Sequence, residues 1–402
     1  MKSMFIFNPA HDLSLANDDP NFNPPLSARK LETDLSCLPV WFAPNGSLVW
    51  SSPENTGWLN GWKRLLPGLS CTEITSVPDF QNISAIHPWG WDKSIAKQLL
   101  VSTEAESGQR HALTHLLPSE NHLAEIKRLS HRRTAAKALH YLRSESGCNE
   151  ILPLPAIEIQ DLAAVEHYSK THAGVIFKAP WSGSGKGLCW VRGSLSDSHR
   201  GWCRNVLEKQ GSLMAEQIYD VAQNFALLFR CENGKASFAG YSLFETEKGI
   251  YRSNSLLSDD AILARLSRFI QPQLLLAIRE LLQPFIDEHI APFYSGMLGV
   301  DMFIFNDNNT LRIHPCVEIN LRMTMGAVAR IFFDRFVSPG CSGRFSVDHC
   351  TERQALWQDH TLRKKNMPLI IENGKISSGY LSLSPVLPDT HYRVRVELAS
   401  YI

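Results

Sequence analysis

The sequence predicts an α/β (α+β) protein in parts: an open-sheet N-terminal lobe, a core of two α+β subdomains, and a small β-rich C-terminal extension. Three observations predict it. Short apolar runs near the N-terminus end in polar loops, as strands of open sheets do where they meet a ligand. Residues 175–191 are two β-prone segments around a glycine-rich tip. A second β-prone pair, residues 299–305 and 311–322, carries Glu318, Asn320 and Arg322 at alternate positions.

Composition sets the bounds. With 402 residues, 44% hydrophobic and 20% charged, the chain suits a packed globular protein of two or three lobes. Its 40 basic and 40 acidic side chains cancel, so no general attraction to nucleic acid or to an anionic membrane is expected. Any anion site must be built locally. The nine cysteines are scattered, odd in number and form no C-x-x-C, which points to reduced thiols, a cytoplasmic location and no zinc site. The early apolar run at residues 4–7 is broken by Asn8, His11 and Asp12, too soon for a signal peptide, and no run reaches the ~18 residues of a membrane span.

The N-terminal lobe spans residues 1–130. Residues 4–7 read as a strand buried on both faces, ending in the polar loop 8–12, so Asn8, His11 and Asp12 are candidate substrate contacts. The competing reading is that His11 and Asp12 only order the loop. Residues 40–42 and 85–87 read as further strands, the second running into the loop 88–92, and residues 39–69 read as irregular. Six of the ten tryptophans fall within the first 91 residues, and aromatic walls suit a small-molecule pocket as well as a core. Helical periodicity covers residues 92–100 and 120–143, with Arg132 and Arg133 between its two apolar stripes.

The next division, residues 131–215, contains a helix at 161–170, a strand ending in Lys178, the glycine-rich tip, a helix at 199–209 and a strand at 212–219. Three of the six residues 182–187 are glycine, which lets backbone amides point into one concavity and form a nest for phosphate oxygens. Lys178 and Lys186 add positive charge. A Walker A loop is excluded because Pro180 stands where its first Gly belongs and Gly187 replaces its hydroxyl residue. A Rossmann turn is excluded because a strand follows, where that motif opens a helix.

Residues 216–338 form the second subdomain. Strands at 225–231, 236–245 and 249–254 form a meander with Asn233-Gly234 as a hairpin turn, and residues 273–289 form an amphipathic helix with a kink at Pro284. Asp301, Glu318 and Asn320 supply two carboxylates and an amide oxygen, a hard-ligand set for magnesium. Arg322 adds a forked cation for a phosphate or carboxylate. Counted outward from a turn at 306–309, a regular hairpin sets Asp301 opposite His314, so a bulge at His314-Pro315 is required to bring Glu318 there. Residues 326–336 read as a helix behind this site. In the extension, residues 339–402, short strands surround Asn373-Gly374.

The glycine hairpin with Lys178, followed by Asp301 and the Glu318-x-Asn320-x-Arg322 triplet, resembles the ATP-grasp superfamily of carboxylate-amine ligase type over residues 175–322. The resemblance implies an N-terminal lobe followed by an ATP-grasp core that clamps ATP between two subdomains. It implies that Lys178, Ser182, Gly183, Ser184, Gly185, Lys186 and Gly187 hold the phosphates. Glu216, Gln217 and Tyr219 would contact adenine. Gln223 falls where the family has an acidic ribose ligand, and Arg132 or Arg133 where it has a lysine for the α-phosphate. Asp301, Glu318 and Asn320 would carry magnesium, or manganese in its place, with Arg322 and Lys186 as catalytic residues. The implied function is an ATP-dependent ligase joining a substrate carboxylate, on a small molecule or peptide, to a nucleophile co-substrate. The alternatives are a small-molecule kinase using the same apparatus, a non-catalytic nucleotide-binding protein, and an aromatic binding lobe with a vestigial ATP site.

Overall fold

The first strand, Lys2–Ile6 (β1), sits inside a parallel sheet because Met4, Phe5 and Ile6 are apolar on both faces. With Leu48–Trp50 (β2), Thr72–Ile74 (β3) and Ile83–Pro88 (β4) it forms a sheet of order β3-β2-β1-β4. The computed structural model describes residues 1–103, 107–146, 152–183, 185, 187–247 and 249–400. Ser184 and Lys186, both assigned to phosphate above, lie outside them. Two expectations for this lobe are corrected. Residues 40–42 are no strand: Leu38–Trp41 is a 3-10 turn, started by Pro39, which has no N–H for a ladder, and fixed by Trp41, whose Nε1 donates to the Leu383 carbonyl at 2.7 Å. The polar stretch after β1 is also shorter than expected, since His11 already opens the helix His11–Asn17.

The helices Glu120–Ser130 and Arg133–Ser146 lead to a small antiparallel sheet. It comprises Ile157–Ile159 (β5), Gly174–Lys178 (β6), Leu188–Arg192 (β7) and Leu213–Gln217 (β8) in the order β5-β8-β6-β7. Helices Leu162–Thr171 and Asp197–Gln210 back it, and Val165, Phe177, Val191, Cys203 and Leu213 make a core of its own.

A nine-stranded sheet forms the rest. Its strands are Asp220–Glu232 (β9), Lys235–Glu247 (β10), Ile250–Leu256 (β11), Gly296–Asp307 (β12), Thr310–Asn320 (β13), Cys341–His349 (β14), Ile370–Glu372 (β15), Lys375–Ser382 (β16) and Tyr392–Ser400 (β17). Their order is β13-β12-β9-β10-β11-β14-β17-β16-β15. Phe225, Leu227 and Phe229 of β9, with Val300, Met302 and Ile304 of β12, bury one face in a core shared with the helices Arg133–Ser146 and Pro272–His289. Pro284 lies inside the latter helix. The opposite face carries Asp301 and the helix Met325–Phe336, capped by Thr324, whose hydroxyl accepts the Ala327 N–H at 3.1 Å.

The C-terminal strands continue this sheet through the β11–β14 pair. They also share a core with the N-terminal lobe, where Phe7 and Trp41 join Phe332, Phe345, Val394 and Val396. Asp34 accepts the backbone N–H groups of His391 and Tyr392, both at 2.9 Å. Among the described residues, no helix is long and apolar enough to cross a membrane.

Candidate active site

Asp301 and Glu318 face each other directly across β12 and β13. Two departures from the regular hairpin counted above produce this register. The turn is the tight pair Asn308-Asn309, with φ of 52° and 67°, so Phe303 meets His314. Beyond that pair Met302 alone stands against Pro315, Cys316 and Val317, and this bulge at the proline carries Glu318 the remaining two positions. Asn320 then donates from Nδ2 to Asp301 Oδ2 at 3.0 Å. Burial and the facing Glu318 carboxylate push the Asp301 carboxyl up to about 7, against the pull of Arg322 and of the Asn320 hydrogen bond.

Two arginines close on this pair from other elements. Arg132, in the loop between the helices Glu120–Ser130 and Arg133–Ser146, places one terminal nitrogen 2.9 Å from Glu318 Oε2. Its Nε donates to the Ala179 carbonyl at 3.0 Å and its other terminal nitrogen to Ser182 Oγ at 3.2 Å, so the same side chain grips the base of the glycine hairpin. Arg133 instead points outward, 3.7 Å from Glu158. Arg322 reaches back to the N-terminal lobe, donating to both carboxylate oxygens of Asp12 at 2.9 and 2.8 Å. Burial opposes ionisation of Asp12, but Arg322 outweighs it and holds the carboxyl below its usual range.

The hairpin tip is seated on this cleft. A Cβ on Gly183 would lie 2.3 Å from Asp12 Oδ2, and one on Gly185, at φ 72°, would lie 2.4 Å from the Gly249 carbonyl oxygen in the β10–β11 turn. Only glycine permits both approaches. A Cβ on Gly187 would meet Ser182 at 2.2 Å, folding the loop on itself.

No protein-family model matches the sequence, and no match to a curated protein was found. Solved structures do match. N5-carboxyaminoimidazole synthetase from Staphylococcus aureus, complexed with ADP, superimposes at a TM-score of 0.50 and 14% identity, over 100% of this chain and 93% of that one. Biotin carboxylase from Campylobacter jejuni, as its beta-gamma-ATP complex, gives a TM-score of 0.50 at 10% identity, over 100% and 87% of the two chains. The chain has the ATP-grasp fold.

Within this ATP-grasp fold, Lys178 and Glu216 form a buried ion pair on adjacent strands β6 and β8. His314 Nε2 lies 3.7 Å from the other Glu216 oxygen, and among the described residues neither ring nitrogen of His314 has a hydrogen-bond partner. Burial resists the charge on Glu216, but Lys178 and His314 hold its carboxyl down at about 2. Gln217 ends β8 opposite Val175 with its side chain exposed. Tyr219 packs its ring against Phe305, Phe303 and His314 with centroids 4.6, 5.3 and 5.5 Å away. Sequence reasoning passed over this aromatic wall, although the alternation that joins Glu318 to Asn320 also puts Phe303 and Phe305 on the face of Asp301.

Gln223 is a correction. The register of β9 with β12 runs unbroken to the Gln223–Ile304 pair, with the slip at Ala222 beyond it, so Gln223 alternates with Phe225 and Leu227 onto the core face of the sheet. There its amide donates to the Asn224 carbonyl at 2.9 Å and it lines a groove with Arg265, Arg268 and Phe269, away from Asp301. Asn224 takes the place opposite Phe303. Asn8 is spent on the framework, and His11 is anchored to it. Asn8 donates to the Gly90 carbonyl at 2.8 Å, and His11 lies 3.2 Å from Asp92, the cap of the helix Lys93–Val101. Of the three proposed substrate contacts, His11 and Asp12 line the cleft, and Asp12 is the one paired with Arg322.

The donor set fits magnesium. Among the described residues no cluster of three or more His, Cys, Asp or Glu side chains forms a self-contained metal cage. Asp301 and Glu318 supply two carboxylates, Asn320 an amide oxygen, and a magnesium ion that shares its remaining positions with phosphate oxygens needs no more. Two facing carboxylates, one of them pushed toward its protonated form, are what such a cation would relieve.

Proposed function

We propose that this chain is an ATP- and magnesium-dependent ligase that joins a carboxylate to an amine or similar nucleophile through an acyl phosphate. The observation that carries this reading is the meeting of Asp301, Glu318 and Asn320 with Arg132, Arg322 and the base of the glycine hairpin in one cleft. The solved neighbours that share the fold are described as ADP and beta-gamma-ATP complexes, which supports a nucleotide in the same place.

In this reading Asp301, Glu318 and Asn320 hold magnesium, or manganese in its place, which neutralises charge on the transferring phosphoryl group. Lys178, Arg132 and the amides around Ser182, Gly183, Gly185 and Gly187 take the phosphates, together with Ser184 and Lys186. Tyr219, Phe303 and His314 flank the base beside Glu216 and Gln217, and Asn224 replaces Gln223 as the ribose contact. The substrate carboxylate oxygen bonds to the γ-phosphorus and ADP leaves. The nucleophile's nitrogen then bonds to the carbonyl carbon, and phosphate and a proton depart. Arg322 faces the oxyanion at the reacting end. Catalysis is by positioning and charge more than by proton transfer.

Calorimetry tests this. The wild type is expected to bind ATP only with magnesium, and Glu318→Ala combined with Asn320→Ala to lose that binding. Phosphate release that needs both a carboxylate and an amine separates the ligase from a kinase, whose phosphate stays on one product. A folded wild type that binds no nucleotide would overturn the proposal.

A further inference from the structure

Arg322 is the forked cation of the cleft, yet its fork is already filled by the chain's own carboxylate. Nε and one terminal nitrogen donate to the two oxygens of Asp12, and the remaining terminal nitrogen donates to the Met323 carbonyl at 3.3 Å. Bidentate pairing of this kind is how a guanidinium binds a free carboxylate. Asp12 comes from a helix 310 residues away in sequence, and its side chain lines the cleft together with Glu318, Asn320 and Ser182. Its second face is covered by Gly183, where no Cβ fits.

We infer that Asp12 is an internal stand-in for the substrate's oxyanion: it occupies Arg322 in the free protein and is exchanged for the ligand's carboxylate or phosphate group on binding. The inference rests on reading the cleft as the reacting site, and it adds a specificity-setting role for Asp12 that a direct substrate contact would not have. Two consequences follow from the geometry. Arg322 is kept from binding stray anions, since a ligand must outcompete a carboxylate already held by two hydrogen bonds. The glycine hairpin senses the exchange, because moving Asp12 off Arg322 moves the surface on which Gly183 rests.

The test compares affinities for acetate and for inorganic phosphate, measured by calorimetry on the full chain without nucleotide. Asp12→Asn keeps the shape and removes the competing charge, so it is expected to bind one or both anions at least about tenfold more tightly than the wild type. Gly183→Ala keeps the charge but crowds Asp12 from the hairpin side, and the same direction of change is expected. Arg322→Ala is expected to abolish the gain in either background. Acetate alone gaining points to the carboxylate as the exchanged group, and phosphate alone to the phosphoryl group. Unchanged or weaker anion binding in the folded variants, or no anion binding by any of them, overturns the inference. If Asp12→Asn does not fold, as judged by circular dichroism, Gly183→Ala decides. Magnesium-dependent ATP binding in the same preparations separates the outcomes: its loss in the wild type sinks the ligase reading, whereas the sign of the anion change decides the role of Asp12.

Discussion

His131 holds its protons by geometry. Only 1% exposed, it accepts the Arg133 N–H on Nδ1 at 2.9 Å, so the neutral ring carries its proton on Nε2, which faces Ser212 Oγ at 3.4 Å and Glu158 at 3.5 Å. Its ring stands edge-on to Trp181, 4.7 Å away, directly before the glycine hairpin. A second proton would have to displace the bond to Nδ1. Burial first, and Arg133 second, push its pKa down to about 4 from about 6.5. Between those values the unfolded chain takes up a proton that the folded one refuses, so this contribution to stability is complete above pH ~6.5 and is lost as pH falls toward 4. Urea midpoints between pH 7.5 and 4.5 are expected to fall for the wild type and to fall less steeply for His131→Gln. The neighbouring arginines illustrate what a sequence withholds at this scale. Arg132 sits in the link between two helices and Arg133 opens the second, where periodicity says nothing of direction. The backbone bond from Arg132 N–H to the Pro180 carbonyl, 3.3 Å, draws the first of them under the hairpin and leaves the second outside.

Strand register is where function and legibility part company. Residue types alone marked Glu318, Asn320 and Asp301, because polar groups with oxygen donors stand out among apolar neighbours. Their mutual placement depends on a tight turn and a bulge, and β12 is apolar on both faces around Asp301, so the hydrophobic pattern cannot report a slipped residue. The same blindness hid the slip at Ala222, whereas Gln223 faces away from the cleft by simple alternation with Phe225, Leu227 and Phe229. Asn308 and Asn309 set the frame for the whole pair, both in the left-handed region that other side chains resist. Asn308→Ala and Asn309→Ala are each expected to cost about 1–2 kcal/mol in chemical denaturation, and Asn309→Gly to cost nothing. The loop glycines were legible as glycines, but their partners Asp12 and Gly249 were not, since both contacts cross between elements far apart in the chain.

The whole molecule is more tightly joined than its composition suggested. Expected as an appendage, residues beyond 339 supply β14, β17, β16 and β15 to the main sheet and apolar side chains to a core they share with Phe7 and Trp41. Local patterns found the strands around Asn373-Gly374, a turn with φ of 51° and 72°, but not β14, and which sheet they join is a long-range fact. Ending the chain after His349 removes Val394, Val396 and Leu398, fully or almost fully buried, and the acceptor of the Trp41 indole. Such a truncation is expected to melt without a cooperative transition in circular dichroism, whereas a self-sufficient core would keep one. The Trp41 indole and the Leu383 carbonyl are 342 residues apart. At a synthesis rate of roughly 10 residues per second, the first lobe leaves the ribosome about half a minute before its partners exist. Throughout that interval Trp41 lacks Phe332, Phe336 and the Leu383 carbonyl, so the nascent chain is a natural client for whatever shields apolar surface until the last strand arrives.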